Sequence, residues 1–189
     1  MASTVLSHNK APEGAPIAVE SEHYWLRSLA IHDVGQKLLG WLNDDEMLTG
    51  LNIQNLNFTL DSLRKFVSSF DNKNNYILGI FDKAEETMIG FVTLDVDKAN
   101  RIGRLTAGLG NKSFWGRDVF YEIGLLIRDY FFSERNIEKL SAHVVEHNRR
   151  MIFNFIGSPD YQFELCLQKE CLTPDGSRAD VLVFSAIKE

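Results

Sequence analysis

The spacing of apolar residues divides the chain into helical and extended segments. In four segments apolar residues recur every three to four positions, which predicts helices with one buried face. These segments are 33–42, 60–70, 117–132 and 149–156. Asp33, Thr59 and Asn148 are the residue types that cap helix N-termini, and each stands at the start of one of these segments. The third segment is apolar on most of its surface, so we expect that helix to be largely buried.

Seven further segments are rich in β-branched and aromatic residues and end in turn-forming residues, which predicts strands. They are 23–29, 75–81, 87–96, 102–109, 137–145, 161–169 and 179–187. Runs of strands and helices in this order are typical of an α+β fold. We therefore predict a mixed sheet of about seven strands flanked by about four helices.

Two segments lack periodicity. Residues 1–20 are polar, with Ala, Pro and Gly, and predict a flexible tail ahead of a single domain over residues 21–189. Residues 50–57 are rich in Asn and irregular. This second segment is either a lid over a substrate site or a solvated loop, and the sequence favours neither.

Composition excludes several classes of protein. The 189 residues carry a net charge of −6 with scattered basic residues, which argues against a nucleic-acid partner. No apolar run reaches the roughly 18–20 residues of a membrane span. Cys166 and Cys171 do not have the spacing of a metal site or form a disulfide framework, so we expect both to be reduced and the protein to be cytoplasmic.

The loop between the strand ending at Leu109 and the long helix is a candidate anion site. It runs from Phe114 to Phe120 and opens directly into the helix. The first N–H groups of a helix have no partner within the helix, and the helix dipole adds a partial positive charge there. The alternative is an ordinary connection between a strand and a helix that binds nothing.

Four segments in order resemble the GNAT superfamily of N-acetyltransferases, especially its branch similar to ribosomal-protein N-terminal acetyltransferases. They are Phe114-Trp115-Gly116-Arg117; Leu26-Arg27 followed by His32-Asp33; Trp41-Leu42-Asn43-Asp44-Asp45-Glu46; and Val144 to Asn148. The resemblance covers roughly residues 23–188. It implies a twisted, mostly antiparallel GNAT-like sheet and acetyl-CoA as co-substrate.

The resemblance also assigns residues to the cofactor. The strand 102–109 should part from its neighbour and expose backbone groups to the pantetheine arm, and the N–H groups of residues 115–119 should face the pyrophosphate. Arg149 and Arg150 lie either near the phosphates or on a solvated helix face. The predicted cofactor-binding residues are Leu109, Trp115, Gly116, Arg117, Asp118, Val119 and Asn148.

Several positions depart from the family pattern. The two small residues of the family loop fall on Asp118 and Phe120, and the carboxylate of Asp118 should repel a pyrophosphate. The family's Ser three residues after the asparagine is Met151, and the Tyr seven residues after it is Phe155, which cannot donate a proton. The sequence therefore offers no candidate side chain for the general acid.

His143 and Glu146 are the candidate catalytic residues. His143 lies five residues before Asn148, where the resemblance implies an acidic base, and an imidazole can accept a proton near neutral pH. The alternative for His143 is a structural, hydrogen-bonded histidine. Glu146 stands at the strand end, and its alternative is a solvated carboxylate.

Two functions remain at this point. The first is an acyltransferase that moves acetyl from acetyl-CoA to a primary amine of a small molecule or a protein N-terminus. The second is a catalytically degenerate GNAT fold that binds or regulates, which the departures at Asp118, Phe120, Met151 and Phe155 favour. The sequence does not determine the oligomeric state, and a homodimer is one alternative.

Overall fold

The computed structural model describes residues 12–189 and contains one eight-stranded sheet with helices on both faces. The strands are β1 (Ala18–Glu20), β2 (Tyr24–Ser28), β3 (Asn75–Asp82), β4 (Thr87–Asp97), β5 (Ile102–Leu109), β6 (Lys139–Val145), β7 (Gln162–Leu172) and β8 (Arg178–Ile187). The helices are α1 (Gln36–Trp41), α2 (Asp45–Leu51), α3 (Leu60–Ser68), α4 (Val119–Glu134) and α5 (Arg149–Ile156). Short 3-10 turns lie at Ile31–Asp33 and Lys112–Phe114.

The sheet order is β1-β2-β3-β4-β5-β6-β8-β7. Every neighbouring pair is antiparallel except β5 and β6, which run parallel with α4 as the crossover between them. The predicted fold class, a mixed and mostly antiparallel α+β sheet, is confirmed. Within residues 12–189 the structure adds β1 and α2 to the predicted strands and helices.

The sheet is covered by different helices on its two faces. On one face α4 buries a stripe of apolar side chains against the central strands, among them Leu94 and Leu140. On the other face α1 and α3 pack Leu38 and Leu63 against the β3 and β4 side. Because β4 is covered on both faces, its apolar residues are nearly continuous along the strand instead of alternating.

The predicted flexible tail is wrong where the structure describes it. Residues 1–11 lie outside the described residues, but Ala18–Glu20 pair with β2 and Ile17 is only 3% exposed. The Arg135 guanidinium donates hydrogen bonds to the carbonyls of Pro12 and Ala15, at 2.9 and 3.0 Å. This segment is held by contacts with a residue, Arg135, that is more than 100 positions away in sequence. Local periodicity does not reveal such contacts.

Asp33 does not cap α1, as the sequence had predicted. The helix begins at Gln36 with Gly35 at the N-cap position, and Asp33 lies in the preceding 3-10 turn. Its carboxylate accepts hydrogen bonds from both Arg27 Nη atoms, at 2.7 and 2.8 Å, and from the Ala30 N–H. Burial by itself would raise the pKa of Asp33, but these hydrogen bonds together lower it.

Helix α2 was not predicted, although its start carries a recognisable signal. Asp44 is its N-cap and accepts a hydrogen bond from the Met47 N–H at 2.8 Å, and two acidic residues follow in the first turn. The predicted cap of α3 is confirmed, because Thr59 accepts from the Ser62 N–H. Among the helices of residues 12–189, none is long and apolar enough to cross a membrane.

Candidate active site

Strands β5 and β6 stop pairing halfway along their length. Their register joins Ile102–Leu105 to Lys139–Ala142, but β5 continues to Leu109 and β6 to Val145. A cavity lies where the two strands part, and Thr106, Ala107 and His143 are among its lining residues. The predicted parting of this strand from its neighbour is therefore present in the structure.

A groove adjoins this cavity on the side of the loop before α4. The groove is bounded by α2, the end of β5, the loop and α5, and it shares Gly50, Ala107 and Met151 with the cavity between the strands. Five of the predicted cofactor-binding residues line the groove: Leu109, Trp115, Gly116, Arg117 and Asn148. Asp118 and Val119 do not line it, since Asp118 is exposed beside it and Val119 is fully buried.

The backbone N–H groups around the start of α4 differ in whether they have an acceptor within the chain. The N–H groups of Trp115 and Arg117 are used within the loop, by the carbonyls of Lys112 and Phe114. Within residues 12–189, no acceptor is present for the N–H groups of Gly116 or of residues 118–121. Of the predicted donors, residues 115–119, the N–H groups of Gly116, Asp118 and Val119 are therefore free, those of Trp115 and Arg117 are not, and residues 120 and 121 join the set.

Trp115 ties the loop to the strand. Its indole N–H donates to the Leu109 carbonyl at 2.8 Å, and the Arg150 guanidinium lies 4.3 Å from the centre of its ring. Lys112 pairs with Glu46 at 2.6 Å, and Arg150 lies 3.8 Å from the same carboxylate. The hydrogen bond to Glu46 raises the pKa of Lys112. Arg150 therefore lines the groove, while 68% of its side chain is exposed to solvent.

Asn148 connects the two halves of the site. Its Oδ1 accepts from the Met151 N–H and caps α5, as predicted, while its Nδ2 donates to the Gly50 carbonyl at 2.7 Å. His147 contacts the neighbouring Thr49 carbonyl at 3.0 Å. Asn148 thus holds the end of α2 against the start of α5, and its polar atoms already have partners within the chain.

His143 lies on the sheet face opposite to α4. Leu140, on the other face of β6, packs in the α4 cluster, whereas His143 is exposed and borders the cavity between β5 and β6. Glu146 is also exposed, and its Oε1 accepts the Asp180 N–H at 3.1 Å. Glu146 therefore has a structural partner across the β6–β8 pair, and His143 is nearer to the parted strands.

The position of the family's acid is filled by an apolar ring. Phe155 stacks on Phe184 with ring centres 5.1 Å apart and meets the edge of Tyr161 at 5.1 Å. Met151 lines the groove without a polar atom that could donate. The departures at these two positions are therefore part of an apolar wall.

Gly108, in β5, and Gly110, just after it, leave room for side chains of the covering helices. A Cβ added at Gly110 would lie 1.9 Å from the Trp41 ring, and one at Gly108 would lie 2.4 Å from Met47. At both positions a helix side chain, Trp41 of α1 or Met47 of α2, packs directly on the backbone. The sequence did not indicate the groove residues of α2, Glu46 and Met47, because α2 itself was not recognised.

Comparison with known structures and families agrees with this geometry. The chain is similar to a ribosomal-protein-S5-alanine acetyltransferase from Vibrio fischeri, with 16% identity over 92% of this chain and 97% of the other and a TM-score of 0.77. It is similar to a spermidine N-acetyltransferase from Vibrio cholerae in complex with CoA and spermine, with 17% identity over 89% and 97% and a TM-score of 0.79.

A third similar structure is a ribosomal L7/L12 alpha-N-protein acetyltransferase in complex with coenzyme A, with 15% identity over 91% of this chain and 98% of the other and a TM-score of 0.80. At these identities the likeness shows the fold alone. No curated protein sequence matches the chain significantly. The sequence model described as an acetyltransferase (GNAT) domain matches residues 23–152, which is more than half of the chain. The chain therefore belongs to the GNAT family of acetyltransferases.

Proposed function

We propose that the protein transfers acetyl from acetyl-CoA to a primary amine. The observation that carries this proposal is the parting of β5 and β6 beside the free N–H groups at the start of α4. A helix N-terminus suits a pyrophosphate, and unpaired strand backbone suits the amides of a pantetheine arm. Gly116, with a φ of +78° and open space at its Cβ position, lets the loop backbone approach phosphate oxygens closely.

Each cofactor-binding residue then has a distinct role. Leu109 and Trp115 form the wall at the end of β5, and Arg117 and Arg150 place cations at the groove. The N–H groups of residues 118–121 face the pyrophosphate. Asn148 acts through structure, because it holds α2 against α5.

The reaction requires little proton chemistry from the protein. The neutral amine nitrogen attacks the thioester carbonyl carbon, the C–N bond forms, and the C–S bond breaks. The amine loses one proton, and the departing thiolate takes one from water or from the protonated base. In the proposal, His143 accepts the amine proton, since it borders the gap between β5 and β6 on the face away from α4. Glu146 is the second candidate.

The acceptor is an amine of unassigned size. The solved neighbours named for a ribosomal protein and for spermidine support either a protein N-terminus or a polyamine. Residues 52–55, in the segment between α2 and α3, border a cleft that also contains Leu172 and Pro174 of the β7–β8 hairpin. A lid role for this segment stays a prediction, as do the cytoplasmic location and the homodimer.

A specific observation keeps the second function open. Asp118, exposed beside the groove, and the apolar wall of Met151 and Phe155 match a fold that has lost its activity. Titration with acetyl-CoA by calorimetry, followed by a thiol-release assay on peptides, spermidine and amino sugars, separates the two functions. Binding with turnover of any amine supports the enzyme. Binding without turnover supports the binding module, and absence of binding contradicts both.

Replacing Asp118 with glycine is expected to tighten acetyl-CoA binding. The Asp118 side chain makes no capping hydrogen bond at the start of α4, so its removal costs the helix little. Its charge should repel a nearby phosphate by about 1 kcal/mol or less, which corresponds to a gain of up to about five-fold in affinity. Calorimetry measures the change. Asp118→Asn, which removes only the charge, is the matched control for the lost Cβ, and unchanged affinity in both variants would place this carboxylate away from the phosphates.

A further inference from the structure

A small chamber lies between α4 and α5, against β5. Its volume is about 40 Å³, and Leu105, Ile123 and Ile127 are among its apolar lining residues. The chamber shares Leu105, Ala107, Met151 and Phe155 with the cavity where β5 and β6 part. It is therefore a side space that adjoins the place where the thioester would lie.

Gly124 of α4 lines the chamber. A Cβ added at Gly124 would lie 3.8 Å from the Tyr161 ring, which is ordinary contact. An alanine would fit at this position, but a larger side chain would enter the space. Glycine inside a helix costs about 1 kcal/mol relative to alanine, so a packing or functional reason is expected for it.

One residue that lines the chamber, Tyr161, carries a buried polar group without a partner among the described residues. Tyr161 is 6% exposed and lines the chamber, and within residues 12–189 its hydroxyl has no hydrogen-bond partner. Such a group costs about 1–3 kcal/mol while unsatisfied, and native proteins rarely retain one without a role. Burial raises the pKa of Tyr161, so the proton stays on the phenol and is available for donation.

The size and polarity of the chamber limit what can fill it. On this measure of volume a single water needs about 10–15 Å³, so 40 Å³ admits roughly three non-hydrogen atoms. An amide-bearing pantetheine arm would lose hydrogen bonds against walls that are mostly hydrocarbon. A short alkyl chain would bury apolar surface there at no such cost.

We propose that this chamber receives the acyl chain of a short-chain acyl-CoA longer than acetyl, with roughly three or four carbons, and that Tyr161 donates to an oxygen on that chain. The inference rests on the proposed acyl transfer and widens the set of acyl-CoA donors from acetyl-CoA to longer chains. The bonds that form and break are those of acetyl transfer, because the chain beyond the carbonyl takes no part in the chemistry.

The test compares acetyl-, butyryl- and 3-hydroxybutyryl-CoA, by calorimetry and by thiol release with an accepted amine. The protein should use butyryl-CoA at least as well as acetyl-CoA. Gly124→Leu should lower the butyryl-to-acetyl ratio of kcat/KM by about ten-fold or more, the scale on which a pocket discriminates a methylene. Gly40→Leu is the matched control, since Gly40 is an exposed helical glycine with no atom within 4 Å of its Cβ position.

Tyr161→Phe keeps the ring and removes the hydroxyl. It should lower the preference for 3-hydroxybutyryl-CoA over butyryl-CoA and leave the butyryl-to-acetyl ratio unchanged, and it decides the proposal if Gly124→Leu does not fold. If the parent protein rejects butyryl-CoA, or if Gly124→Leu does not change the butyryl-to-acetyl ratio of kcat/KM, the chamber does not receive the acyl chain. The proposed acetyl transfer is unaffected by either result. If no acyl-CoA is turned over, the proposed enzymatic function is wrong. Calorimetry alone then tests the role of the chamber: butyryl-CoA must bind more tightly than acetyl-CoA, and Gly124→Leu must abolish the difference in affinity.

Discussion

Replacing His143 with alanine is expected to lower kcat by about 10²-fold, the low end of the range for general base catalysis. His143 is exposed at the gap between β5 and β6, on the face away from α4, where an amine could reach the thioester. The dissociation constant of acetyl-CoA should stay the same, because the groove and the start of α4 lie away from this side chain. Steady-state rates and calorimetry on the same preparations measure the two quantities.

Two further variants sharpen this expectation. His143→Gln keeps a polar side chain and should lose the rate as the alanine variant does. His32→Ala removes another exposed histidine, in the 3-10 turn before α1, and should leave kcat within two-fold, roughly the scatter of a neutral surface change. Parent rates in both His143 variants would transfer the role of base to Glu146 or to a water chain.

Replacing Phe114 with alanine is expected to lower the free energy of unfolding by about 3–5 kcal/mol. Phe114 is 1% exposed in the core cluster under α4, and the Arg117 guanidinium lies 4.6 Å from its ring centre. The side chain thus anchors the loop whose backbone opens α4. Denaturant unfolding measures the change, and acetyl-CoA affinity measures how well the loop is still held.

The matched control for Phe114 is another phenylalanine. Phe153, on α5, is 71% exposed, and Phe153→Ala should change the free energy of unfolding by less than about 0.5 kcal/mol. A destabilisation of Phe114→Ala as small as that of Phe153→Ala would mean that the loop is not anchored in the core. A large loss of stability with unchanged acetyl-CoA affinity would separate the role of Phe114 in folding from a role in the site.

Features that depend on neighbours in sequence were predictable. The caps at Thr59 and Asn148 each satisfy an N–H group three residues further along, so a residue type and its spacing are sufficient. The strands β3, β4 and β5 follow from their β-branched and aromatic residues, and the buried face of α4 follows from apolar periodicity. The Trp-Gly-Arg loop and the order of four motifs led from these elements to the family.

Features that depend on distant residues were decided by the tertiary structure. Strand β1 is held by pairing with β2 and by Arg135, and the indole of Trp115 is fixed by a strand carbonyl. The need for glycine at positions 108 and 110 is explained only by the tertiary contacts of Met47 and Trp41, which a Cβ would clash with.

The site follows the same division. The sequence by itself determined the α+β order of elements, the helix that opens at the loop, and the identity of the candidate residues. The tertiary structure decided where β5 and β6 part, which N–H groups remain free, and that Asn148 joins α2 to α5. The reason is physical: a helical period or a cap is a local property, whereas a gap between strands or an empty chamber depends on side chains that only folding brings together.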